Sequence, residues 1–280
     1  MRLDSWLIVV LPLTAAAYLY GVHRLRRRGG RWPVSRTVLF LIPGLGSIAA
    51  VTIGGPGAYD TSLLSVRIIQ HMVLGMTAPI FLALGAPVTL ALRTLPRAPR
   101  RRLLALLRTR VARVAFFPLF AYGLFVVTPF VLYFTDLYRL TLEHPLAHQL
   151  VHAHFIVTGC LFFWPLVGID PLPARWHYPA RALLMLLSVP FHTVLGLTIM
   201  QGSTLLGGDW YPALQLTWAD PWTDQKVAGG ILWASGELVS VIMLFVLAVQ
   251  WMRHSEREAR RIDRELDRQE TLERTGSAPA

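Results

Sequence analysis

Seven long apolar stretches constrain this chain more than any other feature of its sequence. They cover approximately residues 5–23, 37–53, 68–92, 114–134, 145–169, 181–201 and 226–252 of the 280. A helix rises about 1.5 Å per residue, so about 20 apolar residues cross a bilayer core about 30 Å thick. With 54% hydrophobic and 15% charged residues, a soluble fold would leave a large apolar surface in water. The sequence therefore predicts an all-α integral membrane protein, a bundle of seven transmembrane helices.

The second stretch is the shortest, and it contains Pro43, Gly44 and Gly46. Proline and glycine weaken a regular helix, and non-helical backbone at membrane depth is tolerated where other helices enclose it. The sequence leaves open whether this stretch is a regular span or a broken, re-entrant segment.

Basic residues are concentrated in alternate loops. The loops after the first, third, fifth and seventh stretches hold 23 of the 27 Lys and Arg residues, all but Arg2, Arg67, Arg139 and Lys226. Because cytoplasmic loops are enriched in Lys and Arg, this pattern predicts an outside N-terminus and a cytoplasmic C-terminus. The net charge of +11 then reflects topology and contact with anionic membrane lipids, and not binding to nucleic acid.

The charge pattern also predicts that the chain is divided into two parts. Residues 1–252 form the seven-helix transmembrane domain, and residues 253–280 form a charged cytoplasmic helical tail with a frayed end at 276–280. Such a tail is typical of a solvated or membrane-surface helix, and binding to a partner is the alternative. The sequence leaves the oligomeric state open, including a homo-oligomer.

Histidines are dense at the start of the fifth stretch, where residues 144–154 read HPLAHQLVHAH. Residues four apart share one helix face, so His144, His148 and His152 form a stripe, while His154 points to nearly the opposite face. Ionisable groups are costly in lipid and mark functional sites there. This stripe is the first place where the sequence predicts chemistry.

Other polar side chains are predicted at the same depth on neighbouring helices. With the histidine stripe they form a layer in the outer half of the bundle, and the candidate metal ligands are His71, His148, His152, His192, Met72, Met76 and Glu237. Imidazole and thioether groups suit Cu(I), whereas hard cations prefer several oxygen ligands. The single cysteine, Cys160, excludes a CxxC copper motif.

Several other protein classes share parts of this pattern. A zinc peptidase would carry glutamate where HQLVH has Gln149, and a retinal protein would need a lysine deep in the seventh helix, whereas Lys226 lies at its mouth. A di-iron hydroxylase would show several histidine-rich motifs on one face, whereas this chain has a single dense one. Each histidine taken alone is more simply a hydrogen-bonded residue within the bundle.

Two alternatives stay open. A copper or proton-coupled transporter would use the same polar layer but needs a polar path further inward, where the fifth helix offers little beyond Thr158 and Cys160. A b-type haem protein needs paired axial histidines on facing helices, and His71 with His192 could supply them.

Four sequence blocks resemble one known family. They are HMVLGMTAPIFLALGAPVTLAL from His71, HQLVHAHFIVTGCLFFWPLVGIDP from His148, PFHTVLGLTIM around His192 and DQKVAGGILWASGEL from Asp224. In this order they resemble the seven-helix CtaG family of bacterial cytochrome c oxidase assembly factors, over most of residues 35–252.

The resemblance implies a multi-pass protein of the bacterial plasma membrane that is not an enzyme. Its implied partners are cytochrome c oxidase subunits, and its implied role is to help copper reach an oxidase copper centre. By motif position His71, His148, His152 and His192 would handle the metal, with Asp224 and Glu237 in the seventh-helix block. Copper would be bound transiently.

Overall fold

The computed structural model describes residues 5–173 and 176–276, and all regular secondary structure in these residues is helical. Arg2, on which the predicted topology draws, lies outside the described residues. The predicted frayed end lies outside them as well, except for Gly276, which ends the last helix.

Seven long helical segments make the bundle. They are α1 (Ser5–Arg27), α2 (Val34–Leu39, Phe40–Gly46 and Ser47–Thr52), α3 (Leu64–Met72, Val73–Thr77 and Ala78–Leu84), α4 (Pro118–Phe134), α5 (Pro145–Val167), α6 (Tyr178–Gln201) and α7 (Pro221–Gly276). Short helices connect them: Gly55–Tyr59, Pro87–Thr94, Arg97–Leu107, Arg110–Ala115, Leu137–Glu143 and Trp210–Ala213.

Six helical segments in the described residues are long and apolar enough to cross a membrane. They are Trp6–Arg27, Val34–Tyr59, Leu64–Thr94, Pro145–Val167, Tyr178–Gln201 and Pro221–Asp267. The predicted fourth span is shorter, because α4 has 17 residues and is followed after a 70° bend by the helix Leu137–Glu143. The number of spans is seven if this bent pair counts as one.

The second stretch, left open by the sequence, is helical throughout but irregular in its middle. Phe40–Gly46 is π-helical, with Pro43 inside it. Proline has no N–H to donate, and its ring clashes with the carbonyl four residues earlier, so the hydrogen-bond ladder widens at this point. Pro43 therefore distorts α2 without ending it.

Glycines let two pairs of helices approach closely. A Cβ atom at Gly159 of α5 would collide with the carbonyl oxygen of Gly75 in α3. A Cβ atom at Gly229 of α7 would lie 2.5 Å from the carbonyl oxygen of Gly196 in α6. Because no side chain separates the backbones there, α3 lies directly against α5, and this contact places the polar faces of both helices together.

An aspartate from α7 caps the start of α3. Asp224 Oδ2 accepts hydrogen bonds from the backbone N–H groups of Leu64, at 2.6 Å, and Ser65, at 3.3 Å, and its Oδ1 accepts from the Ser65 hydroxyl. The first N–H groups of a helix have no partner inside the helix and carry partial positive charge. Asp224 therefore ties α7 to α3 as a structural anion.

Asp170 makes the same kind of cap at the other end of the bundle. Its oxygens accept from the backbone N–H groups of Val88, at 3.2 Å, and Thr89, at 2.7 Å, at the start of the helix Pro87–Thr94. The Trp164 indole donates to it as well, at 2.9 Å. This carboxylate joins the end of α5 to the segment after α3.

The last helix continues through the predicted boundary between membrane domain and tail. α7 runs from Pro221 to Gly276 without a break at residue 253. Its first half packs along α6, and residues 253–267 are exposed and rich in charged side chains. The change from apolar to charged sequence at residue 253 is therefore a change of surroundings along one helix.

Candidate metal centre

One buried cluster of ligand-type side chains stands out at the end of the bundle where α3 and α5 begin. Asp60, His148 and His152 each place one potential ligand atom within 4.8 Å of the others. Within residues 5–173 and 176–276 no other group of three His, Cys, Asp or Glu side chains comes this close. All three residues are at most 2% exposed.

The local sequence explains how these side chains meet. Pro145 occupies the first turn of α5, where its missing N–H costs nothing, and this sets the helix phase for the histidines that follow. His148 and His152 are four residues apart, and their ring centroids lie 4.4 Å apart on one face. Asp60 follows directly after the helix Gly55–Tyr59, so a short connection turns its carboxylate toward that face.

Arg67 of α3 fixes the tautomer of His148. Its Nη1 contacts Nδ1 of His148, and its Nη2 donates to Oγ1 of Thr141 at 2.9 Å. A guanidinium group only donates hydrogen bonds, so Nδ1 must accept, and a neutral His148 carries its proton on Nε2. That Nε2 lies 3.0 Å from Oδ2 of Asp60, so its proton is close to the carboxylate.

The carboxylate of Asp60 is held ionised by its neighbours. Burial by itself would raise the pKa of Asp60, but His148, the Arg67 charge and Gln70 outweigh it and hold this pKa below its ordinary value of 3.8. Gln70 donates through Nε2 to Asp60 Oδ2 at 3.1 Å. The buried positive charge of Arg67 and the buried negative charge of Asp60 therefore face each other across His148.

Two oxygen atoms in this cluster have no hydrogen-bond partner among the described residues: Asp60 Oδ1 and Gln70 Oε1. A buried polar atom without a partner costs about 1–3 kcal/mol. Both atoms are hydrogen-bond acceptors, so a proton donor or a cation could bind to them. The cluster is therefore built with spare capacity for a cation.

The geometry fits a transition-metal ion after a small contraction. Ligand atoms about 2.0–2.1 Å from a tetrahedral ion lie about 3.3 Å from each other. The separation of 3.0 Å between His148 Nε2 and Asp60 Oδ2 is near this value. Ligand atoms of the cluster that lie up to 4.8 Å apart would have to move closer by about 1 Å. One chemical change is also needed: for Nε2 to bind a metal, His148 must take the other tautomer, with its proton on Nδ1, and Arg67 must move away from Nδ1.

Two predicted ligands, His71 and His192, are buried in the bundle and do not belong to the cluster. Nδ1 of His71 lies 3.2 Å from the Tyr133 hydroxyl, and its ring stacks on Phe155 with centroids 4.2 Å apart. Nδ1 of His192 lies 3.3 Å from the carbonyl oxygen of Ser188. Both histidines are 3% exposed, and their role in metal handling stays a prediction.

The other predicted ligands lie in different surroundings. Met72 and Met76 are buried in the hydrophobic core, 4% and 0% exposed. Glu237 Oε1 accepts hydrogen bonds from the hydroxyl of Thr193, at 3.0 Å, and from the indole of Trp233, at 2.5 Å. The structure thus gives Glu237 hydrogen-bonding partners within α6 and α7.

Two of the three histidines of the predicted stripe lie together, and the third does not join them. His148 and His152 are buried, whereas His144, at the start of α5, is exposed. His154 is also exposed, and its Nε2 lies 3.1 Å from the Thr128 hydroxyl of α4. Only the last two histidines of the stripe, His148 and His152, belong to the cluster.

Sequence reasoning missed Asp60, Arg67 and Gln70. Asp60 and Arg67 were treated only as charges of an outer loop at the membrane surface. One signal could have found them. Arg67, Gln70 and His71 are three and four residues apart at the start of an apolar stretch, so they occupy one helix face that has to be buried. A cation on such a face requires an anion nearby, and Asp60 is the nearest acid in the sequence.

The loop between α6 and α7 covers this end of the bundle. The indole of Trp210 donates to the carbonyl oxygen of Thr61, at 2.9 Å, next to Asp60. Tyr211 is buried and its hydroxyl lies 2.5 Å from that of Tyr138; burial raises its pKa above the ordinary value. The cluster is therefore shielded from solvent by side chains of this loop.

Comparison with protein families identifies the chain. Residues 16–254 match the cytochrome c oxidase caa3 assembly factor family (Caa3_CtaG). The chain belongs to this family. The resemblance seen in the four sequence blocks is thereby confirmed, and the matched region contains the whole Asp60 cluster.

Three mycobacterial proteins are also similar to this assembly-factor chain. The uncharacterized proteins Mb0105 of Mycobacterium bovis and MT0111 of Mycobacterium tuberculosis are each 38% identical over 274 residues, which is 95% of this chain and 41% of theirs. The uncharacterized protein ML1998 of Mycobacterium leprae is 34% identical over the same length. This chain thus spans about two-fifths of these relatives. No solved structure matches it.

Proposed function

We propose that this protein assists the assembly of haem-copper cytochrome c oxidase by binding copper transiently at Asp60, His148 and His152 and passing it to an oxidase copper centre. The observation that carries the proposal is the buried cluster itself, with two imidazoles, one ionised carboxylate and unpaired acceptor oxygens in one place. The protein acts here as a carrier, and copper is its cargo.

The donor set bears on which copper ion is carried. Thioether ligands select Cu(I), whereas imidazole and carboxylate suit Cu(II) and Zn(II). The Asp60 cluster supplies two imidazoles and a carboxylate, whereas Met72 and Met76 pack in the hydrophobic core. We therefore favour Cu(II) over the Cu(I) expected from a His and Met layer.

The site also suits a transfer within the membrane. In the proposed topology α3 and α5 begin at the outer face, so the cluster lies in the outer half of a seven-span bundle in the plasma membrane. An oxidase copper centre buried at a similar depth would be loaded laterally by such a donor. Arg67 adds a release mechanism, because its hydrogen bond to Nδ1 of His148 favours the tautomer that holds a proton, and no metal, on Nε2.

The test is metal content and affinity of the detergent-purified chain, measured with Cu(II), Cu(I) and Zn(II) separately. Wild type is compared with the Asp60→Asn, His148→Ala, His152→Ala triple variant and with a His71→Ala, His192→Ala variant. We expect one copper per chain in wild type, none in the triple variant and near-normal binding in the second.

Other results assign other functions. Copper lost only in the His71 and His192 variant would move the site to those residues, and copper in neither protein would leave an assembly factor that acts without metal. A Soret band in the same sample would indicate a b-type haem protein. Copper uptake into sealed vesicles would indicate a transporter.

A further inference from the structure

A second polar site lies at the opposite end of the bundle, where α5 ends and α6 begins. A cavity of about 570 Å³ opens there between the end of α5, the start of α6 and the charged half of α7. A second cavity of about 500 Å³ adjoins it and shares Gly168, Tyr178, Arg181 and His254 with it. Neither cavity includes a residue of the Asp60 cluster.

Arg181 is the buried centre of this region. Its side chain is held by Nε, which donates to the carbonyl oxygen of Trp176 at 2.8 Å, and by Nη1, which donates to that of Leu166 at 3.4 Å. The guanidinium carbon lies 4.8 Å from the ring centre of Tyr178. These contacts use two of its five N–H groups and fix the plane of the others.

No carboxylate pairs with Arg181 in the part of the chain that the structure describes, although the residue is only 9% exposed. Asp170 lines the adjoining cavity, but its oxygens accept from Val88, Thr89 and Trp164. A buried cation without an anion is costly, because its lost hydration is not replaced. An anion in the cavity would offset that cost.

Most of the other charged side chains that line the larger cavity are also basic. Besides Arg181 the larger cavity is lined by Arg253, Arg257 and Arg261 and by His254, against Glu258 as the one acid. Arg261 is paired with Glu265 at 2.9 Å, which leaves Arg253 and Arg257 facing the opening. Arginine binds phosphate oxygens through paired, parallel N–H groups.

We propose that this cavity binds the phosphate headgroup of an anionic phospholipid, with Arg181 at its base and Arg253 and Arg257 at its rim. A lipid is favoured over free phosphate by exposed apolar side chains on the same two helices that line the cavity. Leu183 and Leu187 of α6 are 55% and 44% exposed, and Trp251 and Met252 of α7 are 45% and 59% exposed. Acyl chains would cover this apolar surface, which free phosphate would leave bare.

The experiment measures binding of phosphatidylglycerol to the detergent-purified full chain by native mass spectrometry, with phosphatidylcholine as the neutral lipid. The test variant is Arg253→Gln with Arg257→Gln, both exposed, so that folding is preserved. The matched control is Arg101→Gln with Arg108→Gln, which removes equal charge from exposed positions of another loop. Arg181→Gln is the second test variant.

We expect phosphatidylglycerol to bind in preference to phosphatidylcholine and to weaken about five-fold for each rim arginine removed, with little change in the control. Equal binding of the two lipids, or equal loss in test and control variants, would overturn the site. Inorganic phosphate that binds saturably and displaces the lipid would assign the cavity to a soluble phosphate and overturn the lipid assignment. If Arg181→Gln does not fold, the rim variant decides alone.

Discussion

Three aspartates in this bundle differ in how fully their oxygens are used. Asp224 and Asp170 each accept several hydrogen bonds, including two from backbone N–H groups at the start of a helix. Asp60 is buried as deeply as any acid in the described chain, yet its Oδ1 has no partner there. The first two are satisfied by the fold itself, whereas the third keeps capacity for something the fold does not supply.

The two kinds of aspartate also differ in how much they contribute to the stability of the fold. A carboxylate at a helix start gains from the partial positive charge of the backbone and stabilises the protein. A buried pair such as Asp60 and Arg67, with His148 between them, loses hydration that its attraction only partly returns. A fold that retains this pair gains little stability from it, and the copper binding that we propose would give the cluster a role.

The largest expected effect comes from removing both histidines of the cluster. His148→Ala with His152→Ala should reduce copper affinity by more than about 100-fold, beyond the loss caused by changing an outer partner of a metal ligand. In cells the oxidase polypeptides should be made but remain inactive. Oxidase activity and copper content of isolated membranes measure this.

The same helix offers a matched control. His144→Ala with His154→Ala removes two exposed histidines that flank the pair. This variant should keep copper binding and oxidase activity. Normal oxidase activity in the His148 and His152 variant would contradict the metal site.

A change at Asp60 tests the comparison directly. Asp60→Asn preserves shape but removes the charge and one anionic ligand, so copper affinity should fall about 30-fold. Asp224→Asn, the matched control, should leave copper affinity unchanged, because the oxygens of Asp224 accept hydrogen bonds from Leu64 and Ser65 and not from the cluster in the described part of the chain. Isothermal titration with Cu(II) measures both, and an equal fall in the two variants would remove the distinction between the aspartates.

Arg67→Gln should change copper affinity in the opposite direction. The amide oxygen of glutamine accepts a hydrogen bond from Nδ1–H of His148, which frees the Nε2 electron pair for a metal, and one positive charge leaves the neighbourhood of the cation. Affinity should rise about ten-fold, since each 1.4 kcal/mol is about a factor of ten. Unchanged or weaker binding would show that Arg67 does not oppose metal loading.

Much of the fold was predictable because lipid exposure imposes long apolar stretches. The starts of α5 and α6 fall within three residues of the predicted ones, since Pro145 and Pro179 mark helix starts in the sequence. The fourth stretch was predicted to begin at residue 114 but begins at Pro118, because apolar composition continues through the short helix Arg110–Ala115. Periodicity does not reveal such a break.

The site was only half predictable. His148 and His152 follow from helical spacing within one segment, which sequence displays. Asp60 and Arg67 meet them only because α3 lies against α5 at Gly75 and Gly159, a contact between segments far apart in the chain. For the same reason the predicted depth of Glu237 did not reveal that it would face Thr193 and Trp233.

The smallest expected effect concerns the two capping aspartates. Asp224→Asn or Asp170→Asn keeps an amide oxygen for the helix N–H groups but loses the charge, so the free energy of unfolding should fall by about 1 kcal/mol. Thermal unfolding in detergent, followed by circular dichroism, measures this, with copper binding as the parallel readout. A capping variant that loses copper without losing stability would show that these carboxylates act on the metal as Asp60 does. A fall in stability with copper retained would separate the two kinds of aspartate. It would show that Asp224 and Asp170 stabilise helix starts and have no part in copper binding, which depends on Asp60.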